Sequence, residues 1–285
     1  MPLFVAHGVG GSLLTFRELA EQLGEDQPIY GLRLPASLDE IGSTGPDLLP
    51  KLASWYLHAI RTVVPDGPYQ LAGHSSAGLV LFEIATQLRE AGYPVPLLAL
   101  LDSDIKPGKN FDAPWKSWSA LEAYLQRTQA ELALTARIGV RELIQRRKNH
   151  QKRKFQLWLV QRCPGLCRHF KPAFVLEGHL VFALNSYETG RYLGDAVLFV
   201  AEEEPRNHDD PSLGWRSMIL GHLELVKAPG GHESMLAQPF VRHLATLLNA
   251  RLQAGRTLVE PVMTAPTTCQ VHAFAPAIQS VGVEA

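Results

Sequence analysis

Two adjacent serines, Ser75 and Ser76, lie in the stretch "YQLAGHSSAGLVLFE", between a short apolar run and a helical pattern. A serine hydroxyl becomes an effective nucleophile when a base accepts its proton and a sharp strand-to-helix turn exposes it. Such a turn requires small residues two positions before and after the nucleophile, and Ser75 has Gly73 and Ala77 there. The bulky His74 occupies the first of these positions for Ser76. We therefore predict that Ser75 is the nucleophile.

A histidine with glycine neighbours, His232 in "PGGHESML", is the candidate for the general base. It falls between the last predicted strand and the last predicted helix, where a loop can bring the imidazole over the Ser75 hydroxyl. The negative charge that develops on an attacked carbonyl oxygen requires fixed hydrogen-bond donors. The backbone N–H groups of Ser76 and of Val9, in the glycine-rich stretch "HGVGGS", are predicted to form this oxyanion hole.

The carboxylate that orients the histidine has more than one candidate. It must lie at the C-terminal end of a strand near the histidine loop. Asp102 ends "LLALLD", whereas Asp209 and Asp210 follow the next strand, and Asp104 is a further neighbour that we expect to be solvated. The later pair precedes a proline and is equally typical of a helix cap. Spacing alone therefore favours Asp102 by a small margin.

These side chains need a framework of strands and helices, which the apolar pattern predicts. The predicted strands are residues 2–6, 28–34, 69–73, 96–103, 195–204 and 223–231. The predicted helices are residues 13–24, 47–64, 78–92 and 238–253. Because the strands are continuously apolar, we expect an α/β fold, with a mostly parallel sheet covered by helices on both faces.

The alternation of strands and helices is interrupted between residues 104 and 192, where the pattern is helical. We predict that residues 1–103 and 193–254 form the core and that residues 104–192 are a helical insertion. Residues 255–285 are rich in proline, threonine and alanine without sustained periodicity, so we expect a mobile tail.

Composition excludes several classes of protein. The 285 residues are 46% hydrophobic and 19% charged, as in soluble globular enzymes, and the net charge of −1 predicts no general attraction to nucleic acid or membranes. The cysteines at positions 163, 167 and 269 are too few and too scattered for a disulfide framework or a zinc site, so reduced thiols are expected. The sequence shows neither a secretory leader nor a run long enough to span a membrane. These features predict a cytoplasmic protein.

The motifs together resemble one enzyme family over about residues 2–252. The stretches that carry the resemblance are "PLFVAHGVGG", "YQLAGHSSAG", "LLALLDSD", "DDPSLGW" and "APGGHESML". They are similar to the thioesterase domains that end nonribosomal peptide synthetases and polyketide synthases, which have the α/β-hydrolase fold. In that family the acid typically follows the strand after the nucleophile helix, which favours Asp102 over Asp209.

The resemblance implies a site and a lid. The implied site residues are the triad Ser75, Asp102 and His232 and the oxyanion-hole donors Val9 and Ser76. The insertion of residues 104–192 is implied to be a helical lid over the acyl channel. Two features depart from the family pattern: Ala77 stands where glycine is usual, and the chain starts at the strand before the glycine loop. A free-standing enzyme and a domain of a longer protein both remain open.

Basic residues are concentrated in the insertion. The segment from Arg141 to Lys171 contains ten lysines and arginines but a single acidic residue, Glu142. A solvated helix face explains such a run, and so does a docking surface for an acidic acyl carrier protein and its phosphopantetheine phosphate. The tentative docking residues are Arg146, Arg147, Lys148, Lys152, Arg153 and Lys154.

We therefore predict a serine thioesterase that takes an acyl or peptidyl chain from a carrier protein onto Ser75 and releases it by hydrolysis or cyclisation. This chemistry needs no metal or redox cofactor of the protein's own, since the phosphopantetheine belongs to the partner. The alternatives are a free-standing editing thioesterase, an esterase for small esters, and a carrier-binding scaffold without activity.

Overall fold

A computed structural model describes residues 1–8, 12–105, 170–188, 190–203, 210–257 and 279–281. The strands are β1 (Leu3–Ala6), β2 (Ile29–Leu32), β3 (Gln70–His74), β4 (Leu97–Leu101), β5 (Ala196–Ala201), β6 (Leu223–Ala228) and β7 (Gln279–Val281). The α-helices are α1 (Arg17–Leu23), α2 (Leu48–Val63), α3 (Ala77–Glu90), α4 (Pro172–Ser186) and α5 (Val241–Thr257). Every core strand and helix predicted from the sequence is present in this part of the chain.

The strands form one sheet in the order β6-β5-β4-β3-β1-β2-β7, and all neighbouring strands are parallel. The prediction of a mostly parallel sheet is confirmed. Because the strands are parallel, the loops that follow them all leave from the same edge of the sheet. This carboxyl edge is where Ser75, Asp102 and the loop with His232 are found.

Both faces of the sheet are buried, which explains why its strands are apolar without alternation. In β4, Leu98 and Leu100 pack with α2, α3 and α4, whereas Leu97, Ala99 and Leu101 pack with α1 and α5. Successive side chains of a strand point to opposite faces, so β4 contributes to two separate hydrophobic cores.

The last helix is longer than its sequence pattern predicted. Gly255 was expected to lie beyond the helix and to start the tail, but α5 continues to Thr257. A Cβ atom at Gly255 would lie 3.1 Å from Gln70 Nε2 and 3.2 Å from the Pro96 carbonyl oxygen. The glycine therefore allows close packing of α5 against the sheet, and it does not end the helix. Further along the expected tail, β7 adds a parallel strand to β2.

Of the predicted insertion, residues 170–188 and 190–192 are described, and they contain α4. This helix packs against α2, and the Tyr187 hydroxyl just after it donates a hydrogen bond to the carboxylate of Glu83 in α3. The basic residues 146–154, Val9 and Asp209 lie outside the described residues. Among the described helices, none combines the length and the apolar character that crossing a membrane requires.

Candidate active site

Ser75 lies at the apex of a sharp turn between β3 and α3. Its backbone is left-handed, with φ 58°, whereas Ser76 is right-handed helical with φ −61°. The Ser75 N–H donates to the Leu101 carbonyl (2.9 Å), and the Ser75 carbonyl accepts from the Gly78 N–H (3.0 Å). A positive φ is uncommon for a residue other than glycine, and it persists where surrounding contacts impose it. The turn thus distinguishes the two serines by backbone conformation.

The small residues around the turn are required by close backbone approach. A Cβ atom at Gly73 would lie 2.8 Å from the Gly78 nitrogen and 2.9 Å from the Ala77 carbonyl, closer than such atoms pack. The methyl group of Ala77, on the other side of the turn, is buried. Only a residue without a side chain fits at Gly73.

Gly8, two residues after β1, lies against the two serines. A Cβ atom at this position would lie 3.0 Å from Ser75 Cβ and 3.2 Å from Ser76 Oγ. The sequence pattern marked the glycine-rich stretch but not this glycine. Gly8 directly precedes Val9, the residue predicted to supply the second oxyanion donor.

Asp102 follows β4 and is buried, with a left-handed backbone of φ 47°. Its Oδ2 atom accepts a hydrogen bond of 2.7 Å from His232 Nδ1, and its Oδ1 atom accepts one of 2.8 Å from the Ala201 N–H at the end of β5. The carboxylate therefore has a fixed orientation toward the histidine. The part played by the Ala201 N–H was not predicted, since it depends on the adjacency of β4 and β5.

His232 lies in the loop between β6 and α5 and is partly exposed, with 30% of its side-chain surface accessible. Because a carboxylate oxygen only accepts, Nδ1 carries the proton in the bond to Asp102. In the neutral ring this leaves Nε2 as the basic nitrogen. The loop is closed by the Gly231 N–H, which donates to Ser234 Oγ (2.8 Å), and by Gly230, whose φ of 91° requires glycine.

Asp210, from the alternative acid position, makes its hydrogen bonds within its own turn. Its carboxylate accepts from the N–H and hydroxyl of Ser212 and from the Gly214 N–H, at distances of 2.6 to 2.9 Å. The bonds from Ser212 hold the pKa of this carboxyl below its usual value. The structure thus brings Asp102, and not Asp210, to the histidine.

The turn that contains Asp210 has a second connection to the site. Trp215 is fully buried, and its indole Nε1 donates to the Ser103 carbonyl (2.8 Å), next to Asp102. The Ile105 N–H donates to the Leu213 carbonyl (3.0 Å). Leu213 and Trp215 of this turn therefore contact the chain that carries Asp102, a role that the spacing of the motif did not indicate.

A narrow, mostly apolar cleft opens beside Ser76. Its lining comes from the turn after β3 and from α2, α3 and α4, and includes Ala77, Val80, Leu52, Tyr56, Leu180 and Leu184. Within the described residues, no group of three or more histidine, cysteine, aspartate or glutamate side chains is arranged to hold a metal ion.

A parallel sheet with these loops at its carboxyl edge defines an α/β-hydrolase. Within that class, the chain belongs to the thioesterase domain family, because the model of that family matches residues 1–252. The family resemblance seen in the sequence is confirmed. The family acts on thioesters, so the coarse enzyme class is that of a thioesterase.

Known relatives and structures agree with this assignment. The chain is 28% identical over 272 residues to chondramide synthase of Chondromyces crocatus, and 27% identical over 269 residues to a dimodular nonribosomal peptide synthase of Bacillus subtilis. Each alignment covers 88% of this chain but only 7% and 10% of those much longer proteins. The fold matches the NocB thioesterase domain in covalent complex with a fluorophosphonate nocardicin G analogue (TM-score 0.58, 23% identity, 88% of this chain and 94% of that one). It also matches the surfactin-cyclising thioesterase domain SrfTE (TM-score 0.54, 19% identity, 88% and 91%).

Proposed function

We propose that the protein is a serine thioesterase that releases an acyl or peptidyl chain from the phosphopantetheine thioester of a carrier protein. The observation that carries the proposal is the 2.7 Å hydrogen bond between Asp102 and His232, at the same sheet edge as the left-handed Ser75 turn. A nucleophile, a base and an acid on three neighbouring loops are what acyl transfer through a covalent intermediate needs.

The proposed reaction has two halves. His232 Nε2 takes the proton of Ser75 Oγ as this oxygen attacks the thioester carbonyl, and the tetrahedral oxyanion accepts hydrogen bonds from the Ser76 and Val9 N–H groups. The carbon–sulfur bond then breaks, and the pantetheine sulfur takes the proton from His232 and leaves as a thiol. In the second half, His232 takes the proton of water, or of a nucleophile within the acyl chain, as it attacks the carbonyl of the acyl-Ser75 ester. The bond between the acyl carbon and Ser75 Oγ then breaks, and His232 returns the proton to Ser75.

The setting in nonribosomal peptide or polyketide biosynthesis is supported by the relatives, which are peptide synthetases. The apolar side chains beside Ser76, which include Val80 and the α4 residues Leu180 and Leu184, favour an apolar group over a charged one at this point of the site. The partner is then an acyl or peptidyl carrier protein. Its proposed docking surface comprises Arg146, Arg147, Lys148, Lys152, Arg153 and Lys154.

The first test is labelling by a fluorophosphonate probe, followed by mass spectrometry of the modified peptide. Ser75→Ala is expected to lose the adduct completely, because the nucleophilic oxygen is removed. Ser76→Ala keeps the backbone amide and is expected to label within about 3-fold of the wild-type rate. An adduct on Ser76 would overturn the assignment of Ser75 as the nucleophile. The absence of an adduct on the folded wild-type protein would favour the scaffold alternative over a serine enzyme.

A further inference from the structure

We propose that His74 is a positioning residue that fixes the His232 loop relative to the nucleophile. The inference rests on the proposed role of His232 as the base. His74 is the last residue of β3 and directly precedes Ser75 in the chain. It is 6% exposed, so its ring is held among neighbours and not in solvent.

The contact joins a side chain to a backbone. His74 Nε2 lies 2.8 Å from the backbone carbonyl oxygen of His232. A carbonyl oxygen only accepts, so Nε2 of His74 carries the proton and donates it. The two imidazole rings also pack together, with centroids 4.7 Å apart and planes tilted by 33°. The contact therefore restrains both the main chain and the ring of His232.

His232 is thus held from two adjacent strands. Asp102 after β4 fixes its Nδ1 atom, and His74 at the end of β3 fixes its carbonyl group. Gly230 and Gly231 before His232 are held by hydrogen bonds with Glu203 and Ser234, and the His74 contact adds a restraint at the His232 carbonyl itself. Since His74 is covalently next to Ser75, the second contact sets the distance between base and nucleophile. An error of about 1 Å in such a distance costs roughly 100-fold in rate.

The charge state of His74 suits this role. Burial lowers the pKa of His74, and this is the largest effect. The hydrogen bond to the His232 carbonyl, Glu233 and Asp102 oppose it, and the charge of the His232 ring adds to it. A neutral His74 can still donate from Nε2. It also adds no positive charge beside the imidazolium that forms on His232 during acyl transfer.

The test compares two variants of similar size and shape, His74→Met and His74→Gln. Gln Nε2 can donate to the His232 carbonyl, whereas the methionine side chain has no donor. We expect His74→Met to lower kcat for p-nitrophenyl acetate and the rate of fluorophosphonate labelling by about 10-fold to 100-fold, with KM changed less than 3-fold. His74→Gln is expected to recover most of the loss.

The controls separate the possible failures. His222→Phe replaces an exposed histidine before β6 and is expected to match the wild type. If His74→Met does not fold, His74→Phe supplies a donor-free variant that keeps a ring. Wild-type kinetics in the donor-free variant, or equal losses in it and His74→Gln, would overturn the positioning role. Failure of the wild-type protein itself to label would instead overturn the proposed function.

Discussion

At the scale of single residues, the choice of the acid shows what a sequence leaves undecided. Asp102, Asp209 and Asp210 all lie at or after the ends of predicted strands. The apolar pattern of the sequence does not predict which strand ends are neighbours in the sheet. The strand order places β4 between β3 and β5, so that Asp102 meets both the Ala201 N–H and His232. This adjacency of strands is a long-range property, which the spacing of the three aspartates does not contain.

We expect Asp102→Asn to reduce turnover and fluorophosphonate labelling by at least about 1,000-fold, because an amide in place of the carboxylate favours the wrong tautomer of His232. Asp210→Asn is expected to retain activity within about 3-fold. It should lower the thermal unfolding temperature, because two of the four hydrogen bonds to this carboxylate involve an oxygen that becomes an NH2 group. The measurements are steady-state kinetics and thermal melts on both variants. A larger loss of activity in Asp210→Asn than in Asp102→Asn would contradict the assignment of Asp102 as the acid.

At the scale of elements, periodic segments were predictable and their junctions were less so. The amphipathic pattern of α2 predicted residues 47–64 and the helix spans Leu48–Val63, because its apolar face alone determines its extent. The start of α5 was predicted at residue 238 but lies at Val241. There the Gln238 N–H donates to Glu18 in α1, a contact 220 residues away in the chain that no local pattern contains.

The loop from Asp210 to Ser217 is expected to help hold Asp102 in position, and this role can be tested. Replacing Trp215 by phenylalanine keeps an aromatic ring but removes the N–H that satisfies the buried Ser103 carbonyl. An unsatisfied buried acceptor costs about 1–3 kcal/mol, so we expect a lower free energy of unfolding in urea. Because Ser103 adjoins Asp102, we also expect kcat to fall about 10-fold.

The matched control for that variant is Trp55→Phe, at a half-buried tryptophan of α2. It is expected to leave kcat within about 2-fold of the wild-type value. A Trp215→Phe protein that is destabilised but has wild-type kcat would show that the loop supports the fold without positioning Asp102.

At the scale of the whole molecule, the parallel sheet gathers loops distant in sequence at one edge, and this was predictable because continuous apolar strands imply burial on both faces. The strand β7 was not predicted, since its three residues are too short for a periodic signal. The prediction that a carrier protein docks on the basic residues of the insertion depends on charge, which can be counted from the sequence.

Charge reversal tests the docking surface. Arg146→Glu, Arg147→Glu and Lys148→Glu combined are expected to lower kcat/KM for an acyl carrier protein thioester by at least about 10-fold, with a weaker dependence on ionic strength. The free N-acetylcysteamine thioester of the same acyl group should react at an unchanged rate. Equal rates of wild type and variant on the carrier-bound substrate would place docking elsewhere.

The left-handed backbone at Ser75 also limits which side chains can replace the proposed nucleophile at this position. A residue at φ 58° tolerates an unbranched Cβ far better than a β-branched one, whose second substituent crowds the flanking peptide groups. Gly8 leaves only 3.0 Å between its own missing Cβ and that of Ser75, so the space for an added methyl group is small. A cysteine can therefore replace the serine without changing the turn, and threonine cannot. The turn therefore favours a nucleophilic atom carried on a single methylene group.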